Sequence, residues 1–119
     1  MAETPSKKFI VFFSIPLATM TEWQKTEPQQ KQAAEQKMME DWQRWSAEHA
    51  AMIVSTDVGG KTKNVTASGV TDTRNDIMLF SMAQGESHDA VAQAYASHPH
   101  LQIPNASIQI MEVKPMGPQ

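Results

Sequence analysis

Between Ala34 and His49 the positions Ala34, Met38, Trp42, Trp45 and His49 recur at steps of four, four, three and four. In an α-helix that spacing lines all five along one stripe. Glu35, Glu40, Gln43, Arg44 and Glu48 fall largely on the other side. A helix with two indoles on its inner face has to lie on something broad and apolar, and this requirement constrains the rest of the chain. The Gln-rich run from Gln29 to Gln36 is broken by Lys and Ala and reads as solvated helix surface. Pro28 either opens the helix in its first turn or separates it from a short turn carrying Trp23, capped by Thr19 or Thr21.

The surface that receives such a helix is a sheet. Lys8–Ile15 carries Phe9, Val11, Phe13 and Ile15 on one face and Ile10 and Phe12 on the other. A strand apolar on both faces is covered on both. After Ala50 the period changes from helical to extended. Met52–Val58 reads as a strand, Gly59-Gly60 as a two-residue turn, and Lys61–Val70 as the return strand, thin in apolar residues. Asp72–Asp76 is a turn, and Ile77–Ala83 is a second strand apolar on both faces. Ser87 is a good N-cap for a helix with Val91, Ala94, Tyr95 and His98 on one face; Pro99 stops it. Ser107–Val113 is the last strand. The order β-α-β-β-β-α-β reduces, without the hairpin strand, to the ferredoxin-like βαββαβ arrangement, an α+β fold. Its helices cover one face of an antiparallel sheet. The other face, apolar through Phe9–Ile15 and Ile77–Ala83, is left for a partner, and a second copy packed on it would make a homodimer closed as a dimeric α+β barrel.

The chain's 119 residues suit one domain spanning 1–119, with residues 1–6 and 115–119 as polar tails. A net charge of −3 argues against nucleic acid as a partner. There is no cysteine, so no disulfide framework and no thiolate site. The longest apolar run, Phe9–Phe13, is far short of a membrane span, and Lys7 and Lys8 precede it without a small-residue cleavage site after it. A cytoplasmic protein with no membrane partner is expected. No phosphate-cradling Gly loop, nucleophile elbow or metal-binding spacing is present, and neither a cofactor nor a metal is expected.

Chemistry-bearing residues fall in a few places. His98-Pro99-His100 sets two imidazoles two residues apart; neutral imidazole is a common metal ligand, but a third ligand would have to come from elsewhere in the fold. Alternatively His98 faces the C-terminal dipole of the second helix and His100 lies in the loop. His49 is either a general base facing a pocket or a helix-terminal ring packed on Trp45. Trp42 and Trp45 are helix neighbours that build the core and can wall an apolar ligand. Asp57 sits at a strand end, as a working acid or as turn chemistry. Lys61 and Lys63 frame the hairpin strand, either as contacts for an anionic ligand or as edge charges that discourage sheet-to-sheet pairing.

Asp41-Trp42-Gln43-Arg44-Trp45, Gly60-Lys61-Thr62-Lys63 with Gly69 and Asn75, His98-Pro99-His100-Leu101 and Ile108–Pro115 together resemble the YCII-related (YciI-like) family of the dimeric α+β barrel superfamily, over nearly the whole chain. The resemblance implies a ferredoxin-like subunit, a homodimer and a cleft between helices and sheet. Compact members carry a His early in the main helix paired with an Asp near the following turn, proposed as a catalytic dyad. Here Met38 and Met39 stand in that early-helix region, and Asp57 is the residue that would correspond to the Asp. The Asp-Gly-Pro-Phe motif of another branch is absent, the turn reading Asp72-Thr73-Arg74-Asn75. The expectation is therefore a small-molecule domain with Asp57 and His98 as candidate catalytic residues and Trp42, Trp45, His49 and His100 as candidate ligand-binding residues. The alternative is a non-catalytic metabolite-binding or accessory module.

Overall fold

In the computed structural model, which describes residues 7–116, the two-sided apolar segment becomes strand β1 (Lys7–Ser14). It is followed by α1 (Leu17–Gln24), α2 (Pro28–Glu48), β2 (Ile53–Val58), β3 (Thr62–Thr66), β4 (Gly69–Thr73) and β5 (Ile77–Gly85). Then come α3 (His88–Tyr95), a 3-10 turn (Pro99–Gln102) and β6 (Ser107–Glu112). The expected tails fall partly outside the described residues, at 1–6 and 117–119; Lys114–Met116 are exposed and belong to no strand.

β1 lies inside the sheet because it is apolar on both faces. The order is β2-β5-β1-β6, with every neighbouring pair antiparallel. This is the ferredoxin-like strand order. Cross-strand pairs Phe9–Ala83, Val11–Ser81 and Phe13–Leu79 place these residues on one face, joined by Ile108 and Ile110 of β6. That face carries the core: Phe9, Val11, Phe13, Trp45, Ala83, Val91 and Tyr95 are buried there. The helices lie over it. On the opposite face Ile10 pairs with Met82 and Phe12 with Phe80. These side chains are half-buried, each screened by its cross-strand neighbour.

Two expectations are corrected. The dimeric barrel is not formed: the four-stranded sheet is open, with β2 and β6 as its edges, and β3 and β4 make a separate two-stranded sheet. The homodimer, expected as the means of closing that barrel, is withdrawn with it. The hairpin is also rearranged. β2 pairs with β5 rather than with the strand after Gly59-Gly60, and β3 and β4 reverse around Ala67-Ser68 instead. The physical reason lies in the glycines. Gly59 continues alongside β5, its N–H donating to the Met78 carbonyl at 2.9 Å, and a Cβ there would meet the Ile77 carbonyl oxygen at 3.2 Å. Gly69 instead has φ 138°, a conformation that side chains disfavour, and starts the return strand. Residues Lys63 to Asp76 are exposed.

The helix ends also have identifiable causes. Pro28 occupies the first turn of α2, where its missing N–H costs nothing, and Glu27 stands at the N-cap. α2 has 21 residues, but only its C-terminal half meets the core; Ala34 is exposed and the inward stripe begins at Met38. Neither threonine caps α1. Pro16 precedes it, Thr21 donates back to the Leu17 carbonyl, and Thr19 reaches the Pro104 carbonyl. Ser87 caps α3 as expected, its hydroxyl accepting from the Ala90 N–H at 3.1 Å, with Asp89 in the first turn.

Candidate functional site

α2, α3 and the 3-10 turn converge over β1, and the side chains they bring there are rings. Phe13 is the floor, 1% exposed. Its centroid lies 5.4 Å from Trp42, 5.1 Å from His98 and 5.3 Å from His100. His98 sits in the middle, 4.3 Å from Trp42 and 4.4 Å from Trp45, both edge-on. Trp45 is stacked on the other side by His49 at 4.2 Å and meets Tyr95 at 4.7 Å. Edge-to-face arrangements of this kind match the positive ring edge to the negative ring face.

Hydrogen bonds hold the arrangement. The Trp45 indole N–H donates to the Ala94 carbonyl at 3.2 Å, tying α2 to α3. Asp41 binds α2 to the 3-10 turn: it accepts from Gln102 at 3.3 Å and from Lys37 at 2.8 Å, with Arg44 at 3.6 Å. Those bonds, Lys37 first, hold its carboxyl below the usual carboxylate range. His49 Nδ1–H donates to the Trp45 carbonyl at 2.8 Å. His98 Nδ1 accepts from the His100 N–H at 3.0 Å, which places the ring proton on Nε2. His100 Nε2–H donates to the Ser14 carbonyl at 3.0 Å.

The buried titratable groups Tyr95, His98 and His100 are held neutral. Burial, reinforced by the neighbouring His100 and His49, pushes His98 down to about 3. Burial also lowers His100, outweighing the carbonyls of Ser14 and Ser107, which favour its protonated form. Burial alone raises the Tyr95 hydroxyl to about 12. Tyr95 Oη is buried and has no hydrogen-bond partner among the described residues. A hollow of about 240 Å³ between α3 and β6 is lined by Tyr95 together with Leu101, Ile108 and Ile110.

The structure therefore brings together Trp42, Trp45, His49, His98 and His100. It does not bring Asp57 to them. Asp57 pairs with Phe80, which pairs with Phe12, so its side chain lies on the opposite face of the sheet from Phe13 and His98, and it is exposed. The reading of His98 as a cation at a helix C-terminus is corrected: α3 ends at Tyr95, and His98 is a neutral cap of the following 3-10 turn. Among the described residues no group of three or more His, Asp or Glu side chains is arranged to hold a metal ion. Spacing sets Phe13 on a strand face and Tyr95 on a helix face but cannot show that Tyr95 carries an orphan hydroxyl, because side-chain partnering has no signature in spacing. No helix among the described residues is long and apolar enough to cross a membrane.

No family model matches the chain, and no curated protein is similar to it. Among solved structures it is similar to the solution structure of a hypothetical Arabidopsis thaliana protein, at 13% identity and a TM-score of 0.45, covering 100% of this chain and 96% of that one.

Proposed function

We propose that this domain binds a small, neutral aromatic molecule in the hollow between α3 and β6, against Tyr95, Leu101, Ile108 and Ile110. The unpartnered Tyr95 hydroxyl carries this reading. A buried hydroxyl without a partner costs about 1–3 kcal/mol, and a ligand with one polar atom would recover it. Leu101, Ile108 and Ile110 offer apolar walls, which suit a neutral guest and disfavour an ionised one.

The geometry favours binding over proton transfer. A general base works best with a pKa near the operating pH, and His98 at about 3 is too weak a base for neutral conditions. Asp57, its expected partner, is across the sheet. The non-catalytic alternative is thus the better-supported one. Kinship with the YCII-related family is part of the proposal, resting on Asp41–Trp45 and His98–Leu101. A cytoplasmic location rests on the cysteine-free composition.

The test is a phenol titration followed by the indole N–H signals in a two-dimensional NMR spectrum, with benzene as the comparator lacking a polar atom. Trp45, whose ring lies 4.7 Å from Tyr95, should shift while Trp23, on α1, stays still as an internal control. Tyr95→Phe should weaken phenol and leave benzene unchanged. An unmoved Trp45 signal, or equal phenol binding by the variant, would overturn the reading.

A further inference from the structure

A second hollow, about 270 Å³, lies at the end of the sheet where β1 runs into α1 and β4 into β5. Its half-buried lining is Ile15, Met20 and Met78; its exposed lining includes Arg74, Asp76 and Gln24. The site thus combines an apolar floor with two opposite charges in its exposed lining. Arg74 and Asp76 form no ion pair with each other or with any other described residue, in contrast to Lys63 and Asp72 nearby at 2.6 Å. Both charges remain available.

The backbone between them is tethered. Asn75 Oδ1 accepts from the Ile77 N–H at 2.9 Å, and its amide donates to Thr62 Oγ1 at 3.4 Å. The Asp76 carbonyl accepts from the Ile15 N–H at 2.9 Å. Arg74 and Asp76 are therefore presented from a segment anchored between them and on the far side, which lowers the entropy cost of engaging a ligand.

We propose that this hollow binds a free α-amino acid with an apolar side chain. The carboxylate would go to Arg74, whose planar fork matches it in bidentate geometry. The ammonium would go to Asp76, and the side chain onto Ile15, Met20 and Met78. The volume is at the low end for ligand pockets, which excludes larger guests. A simple anion is disfavoured by Asp76, and a simple amine by Arg74.

The probe is L-leucine, titrated at low ionic strength and followed by the methyl signals of Ile15 and Met20. The comparators are 4-methylpentanoate, which lacks the ammonium, and 3-methylbutylamine, which lacks the carboxylate. Leucine should shift both methyls, and each comparator should bind about fivefold or more weakly, the loss of one charged contact. Arg74→Gln and Asp76→Asn should each cost leucine a similar factor. Both side chains are exposed, and the Asp76 contact to Ile15 is made by the backbone, so the fold is retained. Absence of leucine shifts at millimolar ligand, equal binding of leucine and either comparator, or unchanged affinity in either variant would each overturn the proposal. None of these outcomes bears on Tyr95, which lines the other hollow.

Discussion

The neutral imidazole of His98 makes a pH prediction whose size can be worked out. In the folded protein its pKa lies near 3; in the unfolded chain it returns to the ordinary 6.5. Because the folded value is lowered, the unfolded state takes up the proton first as pH falls. Stability associated with His98 is complete above 6.5 and declines below it, down to about 3. Two pH units below 6.5 the loss would be about 2.8 kcal/mol at about 1.4 kcal/mol per unit; with water screening a ring near the helix ends, about 2 kcal/mol is expected. The variant that isolates this contribution is His98→Asn, whose side-chain oxygen can still accept the His100 N–H as the native Nδ1 does but does not titrate. Urea unfolding at about pH 7.5 and about pH 4.5 should show wild type losing about 2 kcal/mol more than the variant on acidification. His100 is lowered in the same direction by its own burial, which is present in both proteins and cancels from the comparison; its repulsion of a protonated His98 is part of the difference measured. Parallel stability curves for the two proteins, or a wild type that gains stability on acidification relative to the variant, would refute a buried neutral His98.

The remaining predictions concern packing. Tyr95→Phe removes an orphan buried hydroxyl and should stabilise the free protein by about 1 kcal/mol in urea unfolding; a loss would reveal a partner for that hydroxyl. Gly85→Ala would place a Cβ 2.5 Å from Val91 Cγ2, where α3 crosses β5. It should lower stability by about 1–3 kcal/mol, and an unchanged melting temperature would show that α3 can move aside at no cost.

Much of the architecture is readable in the spacing of side chains because period reports which face of an element is dry. The alternation in Phe9–Ile15 assigns Phe9, Val11 and Phe13 to one face, and the structure buries all three against the helices. The stripe from Met38 to His49 likewise meets that face, although Ala34 does not, since periodicity cannot say where a long helix runs past the edge of its support. Local chemistry was legible too: Ser87 caps α3 and Pro28 opens α2.

Which strand pairs with which was decided only in three dimensions. By composition Gly59-Gly60 is the credible reversal and Lys61–Val70 a single return strand. The hairpin forms instead around Ala67-Ser68, because β5 takes β2 as its neighbour and holds Gly59 against Met78. Closure of the sheet likewise could not be inferred from apolar strand faces, which neighbouring side chains can screen without any barrel. The candidate site divides in the same way. Its rings could be named from the chain, because aromatic residues at helical spacing must pack somewhere. The neutrality of His98, the orphan hydroxyl of Tyr95 and the separation of Asp57 from both depend on distances and desolvation between segments far apart in sequence. Those quantities exist only once the chain has folded.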